Sequence, residues 1–186
     1  MDLFNVNSLG LAFSVGGLVL LAITVVLYVD YFFNERKVYL RYVERYSFIA
    51  VAMTTVGSMA IALLYSEYFN FVPCSLCWLQ RIAMFPQALF ALMALKTKEG
   101  RYFPLYSLAL SFFGLVVSIY HYIDQQLPKA PIETGSLLPC LVDGSGDCAV
   151  KVINEFGFVT FPFLTAVVFA FLIVLYLNMR KSAEQN

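Results

Sequence analysis

Four cysteines in a chain of 186 residues fall into two groups: Cys74 and Cys77, within Pro73-Cys74-Ser75-Leu76-Cys77-Trp78-Leu79-Gln80-Arg81, and Cys140 with Cys148. A Cys-x-x-Cys pair at a helix start supports thiol–disulfide exchange or metal ligation. Pro73 suits a helix start, which places Cys77 in or near the first turn, where the positive end of the helix dipole favours a thiolate. Arg81 follows one turn deeper on the same face, and its guanidinium can pair with that thiolate or with an electron-rich ligand oxygen. Alternative chemistries stay open at this point. Four cysteines can hold zinc, although the seven residues between Cys140 and Cys148 exceed the usual two to four. Two purely structural disulfides are also possible, and a nine-residue Cys140/Cys148 ring would contribute about 2.6 kcal/mol in the chain-entropy model. A Cys-x-x-Cys ring is so small that it constrains the unfolded chain little, which favours exchange over stapling. Arg81 has a plainer reading as a snorkelling anchor, and Trp78 fits an aromatic belt.

These residues must be positioned by membrane helices. The chain is 61% hydrophobic and 13% charged, with a mean hydropathy of +0.77, against about 45–50% apolar residues in soluble domains. Leu9 to Tyr28, Phe48 to Tyr65, Tyr106 to Ile123 and Phe158 to Leu177 each approach the roughly 20 apolar residues that cross a bilayer. Trp78 to Leu95 is a fifth span, although it carries Gln80, Arg81 and Gln87. Five crossings put Arg36, Lys37, Arg41, Arg45, Lys96, Lys98, Arg101, Arg180 and Lys181 on one side, the cytoplasm by the positive-inside rule. The amino terminus, the Cys74/Cys77 turn and the segment from Asp124 to Gly157 then face outward, where disulfides persist. Met1 to Gly10 lacks Lys and Arg and no small-x-small cleavage pattern follows, so the first span reads as a retained helix.

Between spans, Asp124 to Gly157 is rich in Pro and Gly and reads as a long external loop of functional length, with Val150 to Phe156 lying flat on the membrane surface. Gly144 and Gly146 let another backbone approach its cysteines, and a disulfide exposed there is open to attack by another protein's thiolate. Pro86 and Pro162 each remove a backbone hydrogen bond and can kink their helices. His121 and Asp124 end the fourth span; His121 reads either as a hydrated interface residue or as a proton donor to a bound acceptor. Glu67 reads as a solvated carboxylate.

The string Cys-x-x-Cys-Trp-x-Gln-Arg from Cys74 to Arg81 resembles the signature of the DsbB family of membrane disulfide oxidases, in the style of its BdbC branch. The likeness extends through Ile82 to Gln87, Tyr120-His121-Tyr122 and Gly157-Phe158-Val159-Thr160-Phe161-Pro162-Phe163, and covers about Phe48 to Leu177. Vitamin K epoxide-type quinone reductases also carry Cys-x-x-Cys in a helical bundle, but their loop cysteines precede the motif. The resemblance implies an all-α integral membrane protein, a four-helix bundle over residues 47–186 with the external loop 124–157. Residues 1–46, a first helix and its basic loop, depart from the family's pattern and leave every later segment on the side the family requires.

It further implies an oxidoreductase of the bacterial cytoplasmic membrane that takes electrons from a thioredoxin-like thiol oxidase of the DsbA or BdbD type and gives them to ubiquinone or menaquinone. Cys140 and Cys148 would face that protein, with Cys140 attacked first, and Cys74 and Cys77 would face the quinone. Cys77, Arg81 and His121 would line the quinone site, between the outer ends of the third and fourth spans. No metal and no nucleic-acid partner is expected. A non-enzymatic membrane subunit stapled by structural disulfides is the alternative, as is a homologue running in the reducing direction.

Overall fold

Lipid offers no hydrogen bonds, so each long apolar run must satisfy its backbone within itself, and the helix does this. A computed structural model describes residues 6–97, 102–126 and 153–185. Five helices follow: α1 Val6–Phe33, α2 Ser47–Leu63, α3 Ser75–Thr97, α4 Tyr102–Gln126 and α5 Phe161–Gln185. All five are long and apolar enough to cross a membrane. The segment joining α1 to α2 is helical too, a wide π turn over Tyr39–Val43 and a 3-10 turn over Glu44–Tyr46. A second π turn, Leu64–Tyr68, extends α2 towards α3.

The four later helices close a ring, α2 on α3, α3 on α4, α4 on α5 and α5 back on α2, while α1 packs outside the ring against α5. α5 is therefore central, and Phe169, Leu172, Val174, Leu175 and Tyr176 along it are fully buried. Close approach depends on small residues, as membrane interfaces favour. A Cβ built on Gly114 of α4 would lie 2.3 Å from the Phe169 ring, and one on Gly17 of α1 would lie 2.2 Å from Leu164.

The polar residues that made α3 an equivocal span point inward. Gln87 is fully buried. Its amide nitrogen donates to the Ala83 carbonyl, and its Oε1 accepts from Ser111 of α4 at 2.9 Å and Tyr176 of α5 at 3.0 Å.

The structure adds detail to three expectations. Residues 154–155, within the stretch expected to lie along the membrane surface, form a strand. Asn154–Glu155 (β1) and Val159–Thr160 (β2) form an antiparallel hairpin in which Asn154 faces Thr160. Its turn passes through positive φ at Phe156 (54°) and Gly157 (76°), the second a conformation glycine adopts freely. Because β2 takes Val159 and Thr160, the last span begins at Phe161 rather than Phe158. Pro162 is consequently the second residue of α5, where its missing N–H has no helical partner to lose.

Arg36, placed with the cytoplasmic basic residues of the first loop, is buried. It donates from Nε to Asn178 Oδ1 at 2.9 Å and from Nη2 to the Asn178 carbonyl at 2.8 Å and to Ser182 Oγ, all on α5. Beside it the buried Asp30 carboxylate accepts the backbone N–H groups of Val38 (3.0 Å) and Tyr39 (2.9 Å).

Candidate functional site

Residues 69–74 turn the chain from α2 into α3, with Asn70 at φ 57°. Cys74 is the helix cap. Its carbonyl accepts Trp78 N–H at 3.0 Å, and its sulfur accepts Cys77 N–H at 3.3 Å, the role a Ser or Asp side chain plays at many helix starts. Cys77 accordingly stands in the first turn, with its Sγ 3.0 Å from Cys74 Sγ. Both are free thiols.

The two sulfurs differ in surroundings. Cys74 is 4% exposed and packs with Leu76 and Val117, whereas Cys77 is half-buried. The Cys74 thiol is pushed up to about 12, first by the hydrogen bond it donates to Cys77 and next by burial, with a weaker opposing pull from His121.

His121, on α4, is 2% exposed and is not a hydrated interface residue. Its Nε2 lies 3.9 Å from Cys74 Sγ and its Nδ1 lies 3.4 Å from the amide nitrogen of Gln80. Its two ring nitrogens thus connect the Gln80 amide to the Cys74 sulfur. Burial follows from helix packing, since Val117, His121 and Gln125 share one inward stripe of α4. Cys74, Cys77 and His121 also place two sulfurs and a ring nitrogen within 4.8 Å of one another, the one grouping with metal-ligand character among the described residues.

Arg81 donates from Nη2 to the Ala62 carbonyl of α2 at 2.9 Å, and its guanidinium lies 5.3 Å from the Trp78 ring centroid. It spans the α2–α3 seam instead of reaching for the surface. Next to it a cavity of about 310 Å³ carries Cys77, Gln80 and Arg81 of α3, His121 of α4, Tyr65 beyond α2 and Phe169 of α5 on its wall. The cavity thus extends past the expected α3–α4 gap to α2 and α5. Its size falls within the range of small-molecule pockets, and its lining is mostly apolar with a few convergent polar groups.

The structure brings Cys74, Cys77, Arg81 and His121 together. Cys140 and Cys148 lie outside the described residues. Glu67 is exposed and accepts a hydrogen bond from Ser66 Oγ, as a solvated carboxylate does. Tyr65 and Gln80 were missed as site residues. Gln80 stood in the quoted motif without a role; Tyr65 stood only as the end of a span, and no local pattern sets it apart.

The sequence profile for disulfide bond formation protein DsbB matches residues 44–179, which leaves α1 outside the match. The chain is 40% identical over 129 residues to a probable disulfide formation protein of Oceanobacillus iheyensis, covering 69% of this chain and 83% of the relative. It is 35% identical over 142 residues to disulfide bond formation protein C of Bacillus subtilis, covering 75% and 93%. It is also 32% identical over 149 residues to the SPbeta prophage-derived disulfide bond formation protein B of the same species, covering 78% and 95%. No solved structure matches.

Proposed function

The chain belongs to the DsbB family of disulfide bond formation proteins, membrane oxidoreductases, and from that premise we propose that it reoxidises an external thioredoxin-like dithiol protein and passes the electrons to a membrane quinone. The observation that carries this reading is the shared wall of one apolar cavity, on which Cys77 and Arg81 stand a helical turn apart.

Two disulfide exchanges connect the partner to that cavity. A thiolate of the partner attacks the Cys140–Cys148 disulfide at Cys140, and the partner's second thiol resolves the mixed disulfide, so the partner leaves oxidised and the loop pair reduced. Cys148 then attacks Cys74 of the Cys74–Cys77 disulfide, and Cys77 leaves with the electron pair; Cys140 completes the exchange and restores the loop disulfide. Cys77 suits the leaving role because negative charge on its sulfur is stabilised by the α3 amino terminus, with the Arg81 cation on the same wall. Cys74 suits the other role, since its thiol proton is held first by the hydrogen bond to Cys77 and next by burial, which makes it the poorer leaving group.

The cavity fits a quinone headgroup in size and lining, and Arg81 is the cation that would face its oxygens. A bound quinone supplies the sink for two electrons and two protons as Cys74 and Cys77 return to the disulfide. The His121 imidazole, beside Cys74, is placed to move one of those protons. Lys37, Arg45, Lys96, Arg180 and Lys181 lie at the helix ends opposite Cys74. This charge bias supports cysteines on the outer side of a bacterial cytoplasmic membrane.

Purified protein in lipid, given a reduced thioredoxin-like oxidase and a short-tailed ubiquinone, is expected to reduce the quinone with one partner disulfide formed per quinone. Cys77→Ser is expected to abolish turnover, and Arg81→Ala to raise KM for quinone without changing the rate of exchange with the partner. Full turnover by the serine variant would remove Cys77 from this role.

A further inference from the structure

Tyr65 lines the cavity with a polar atom that has nothing to bind among the described residues. It is 4% exposed, it lines the same cavity as Cys77 and Arg81, and its hydroxyl is buried without a hydrogen-bond partner among the described residues. Such a group costs about 1–3 kcal/mol relative to a satisfied one, and an apolar ring of the same shape would avoid the cost.

The ring is firmly placed. Phe161 of α5 meets it edge-on at 4.8 Å, Phe69 and Phe71 of the α2–α3 turn lie at 5.5 and 6.1 Å, and Phe13 of α1 lies at 6.2 Å. Tyr65 also belongs to a π turn, a widened helical geometry that recurs at functional sites. Three residues earlier, the Ala62 carbonyl holds the Arg81 guanidinium. Residues three apart share a helix face, so Arg81 and Tyr65 present a cation and an O–H donor from neighbouring parts of one wall.

We infer that the Tyr65 hydroxyl is a positioning donor for the quinone, giving a hydrogen bond to a headgroup carbonyl in the cavity that Cys77 and Arg81 share. Resting on the functional reading above, it adds a residue to it: the headgroup is held by two different kinds of donor, a fixed cation and a neutral hydroxyl. The hydroxyl is left unsatisfied in the empty cavity and satisfied by the ligand, so it costs stability when the cavity is empty and contributes affinity when it is filled. A Tyr whose role is only to pack would carry the same cost and contribute nothing to affinity.

Tyr65→Phe separates the possibilities because it keeps the ring. Binding of a short-tailed ubiquinone and of menadione is read directly from quenching of Trp78, the sole tryptophan, which stacks on Arg81 of the cavity wall. In Tyr65→Phe the dissociation constant and KM for both quinones are expected to rise about two- to tenfold, the worth of one neutral hydrogen bond. Turnover at saturating quinone and exchange with the dithiol partner stay within twofold. The melting temperature of the quinone-free protein is equal to or above that of the parent. Equal quinone affinity in the two proteins overturns the inference and leaves the functional reading intact. A lowered melting temperature with unchanged affinity also overturns it, by making the hydroxyl structural. Failure of the parent protein itself to bind either quinone overturns the functional reading, and Tyr65 with it.

Discussion

Cys74 and Cys77 are three residues apart, yet one is capped inside the bundle and the other stands on the cavity wall. This difference gives the pair a direction. Cys74 is raised from the ordinary 9.0 to about 12 by its bond to Cys77 and by burial. A raised thiol favours its protonated form, so its contribution to the reduced fold is complete below about pH 9 and is lost as pH climbs towards 12. In the reduced protein, iodoacetamide at pH 7–8 is therefore expected to modify Cys77 far faster than Cys74, as mapped by peptide mass spectrometry. Cys74 should catch up only in strongly alkaline solution or after denaturation, and equal labelling at neutral pH would remove the asymmetry. The Cys-x-x-Cys pair and Arg81 were legible in the sequence because their relation is local, a matter of turns along one helix. His121 was legible as a candidate but not as a buried one, and Tyr65 not at all. Their roles depend on which faces of α4 and α2 turn inward, which is set by packing between residues 41 to 52 positions apart.

Two glycine contacts and one glutamine network decide how the helices sit together. Gly114 admits the Phe169 ring so closely that three ring atoms would fall within 2.6 Å of an added Cβ. Gly114→Ala should raise helix propensity by about 0.8–1.0 kcal/mol and nonetheless destabilise the protein, because overpacking costs about 1–3 kcal/mol. Thermal unfolding in detergent should register the loss, and adding Phe169→Leu should recover part of it; a Gly114→Ala protein as stable as its parent would mean the interface adjusts freely. Four spans were readable from apolar length, while α3, which needed its neighbours' topology as well, is long and apolar enough to be a span despite Gln80, Arg81 and Gln87. What could not be read was where each polar residue goes: Gln87 satisfies two hydroxyls from other helices. The hairpin at residues 154–160 escaped because its strands are two residues long, too short for alternation to declare itself.

At the scale of the whole molecule, the span outside the family match is joined to the bundle at both ends of α1. Near its start Gly10 lies beside Ile153 and Glu155 of the hairpin, and Phe13 touches Tyr65. Beyond its end Arg36 is buried against Asn178 and Ser182. Arg36→Ala is expected to lower the melting temperature in detergent, since it strands the Asn178 and Ser182 acceptors at about 1–3 kcal/mol for a charged hydrogen-bonded group. Arg36→Lys should not restore it, because a single ammonium cannot reproduce a planar fork that reaches three acceptors. A lysine variant as stable as the parent would mean that charge alone suffices. The sequence placed Arg36 with the other basic residues, since burial of a cation is visible only once α5 is seen to pass beside it. The Arg36–Asn178 bond joins residues 142 positions apart. At synthesis rates of 5–20 residues per second, α1 must wait roughly 7 to 30 s in the bilayer before its partner exists. Of the five helices, α1 is thus made before the others and docks only once α5 exists. Until α5 arrives, the guanidinium of Arg36 lacks its Asn178 and Ser182 acceptors, so synthesis of α5 and capture of the segment after α1 are one event.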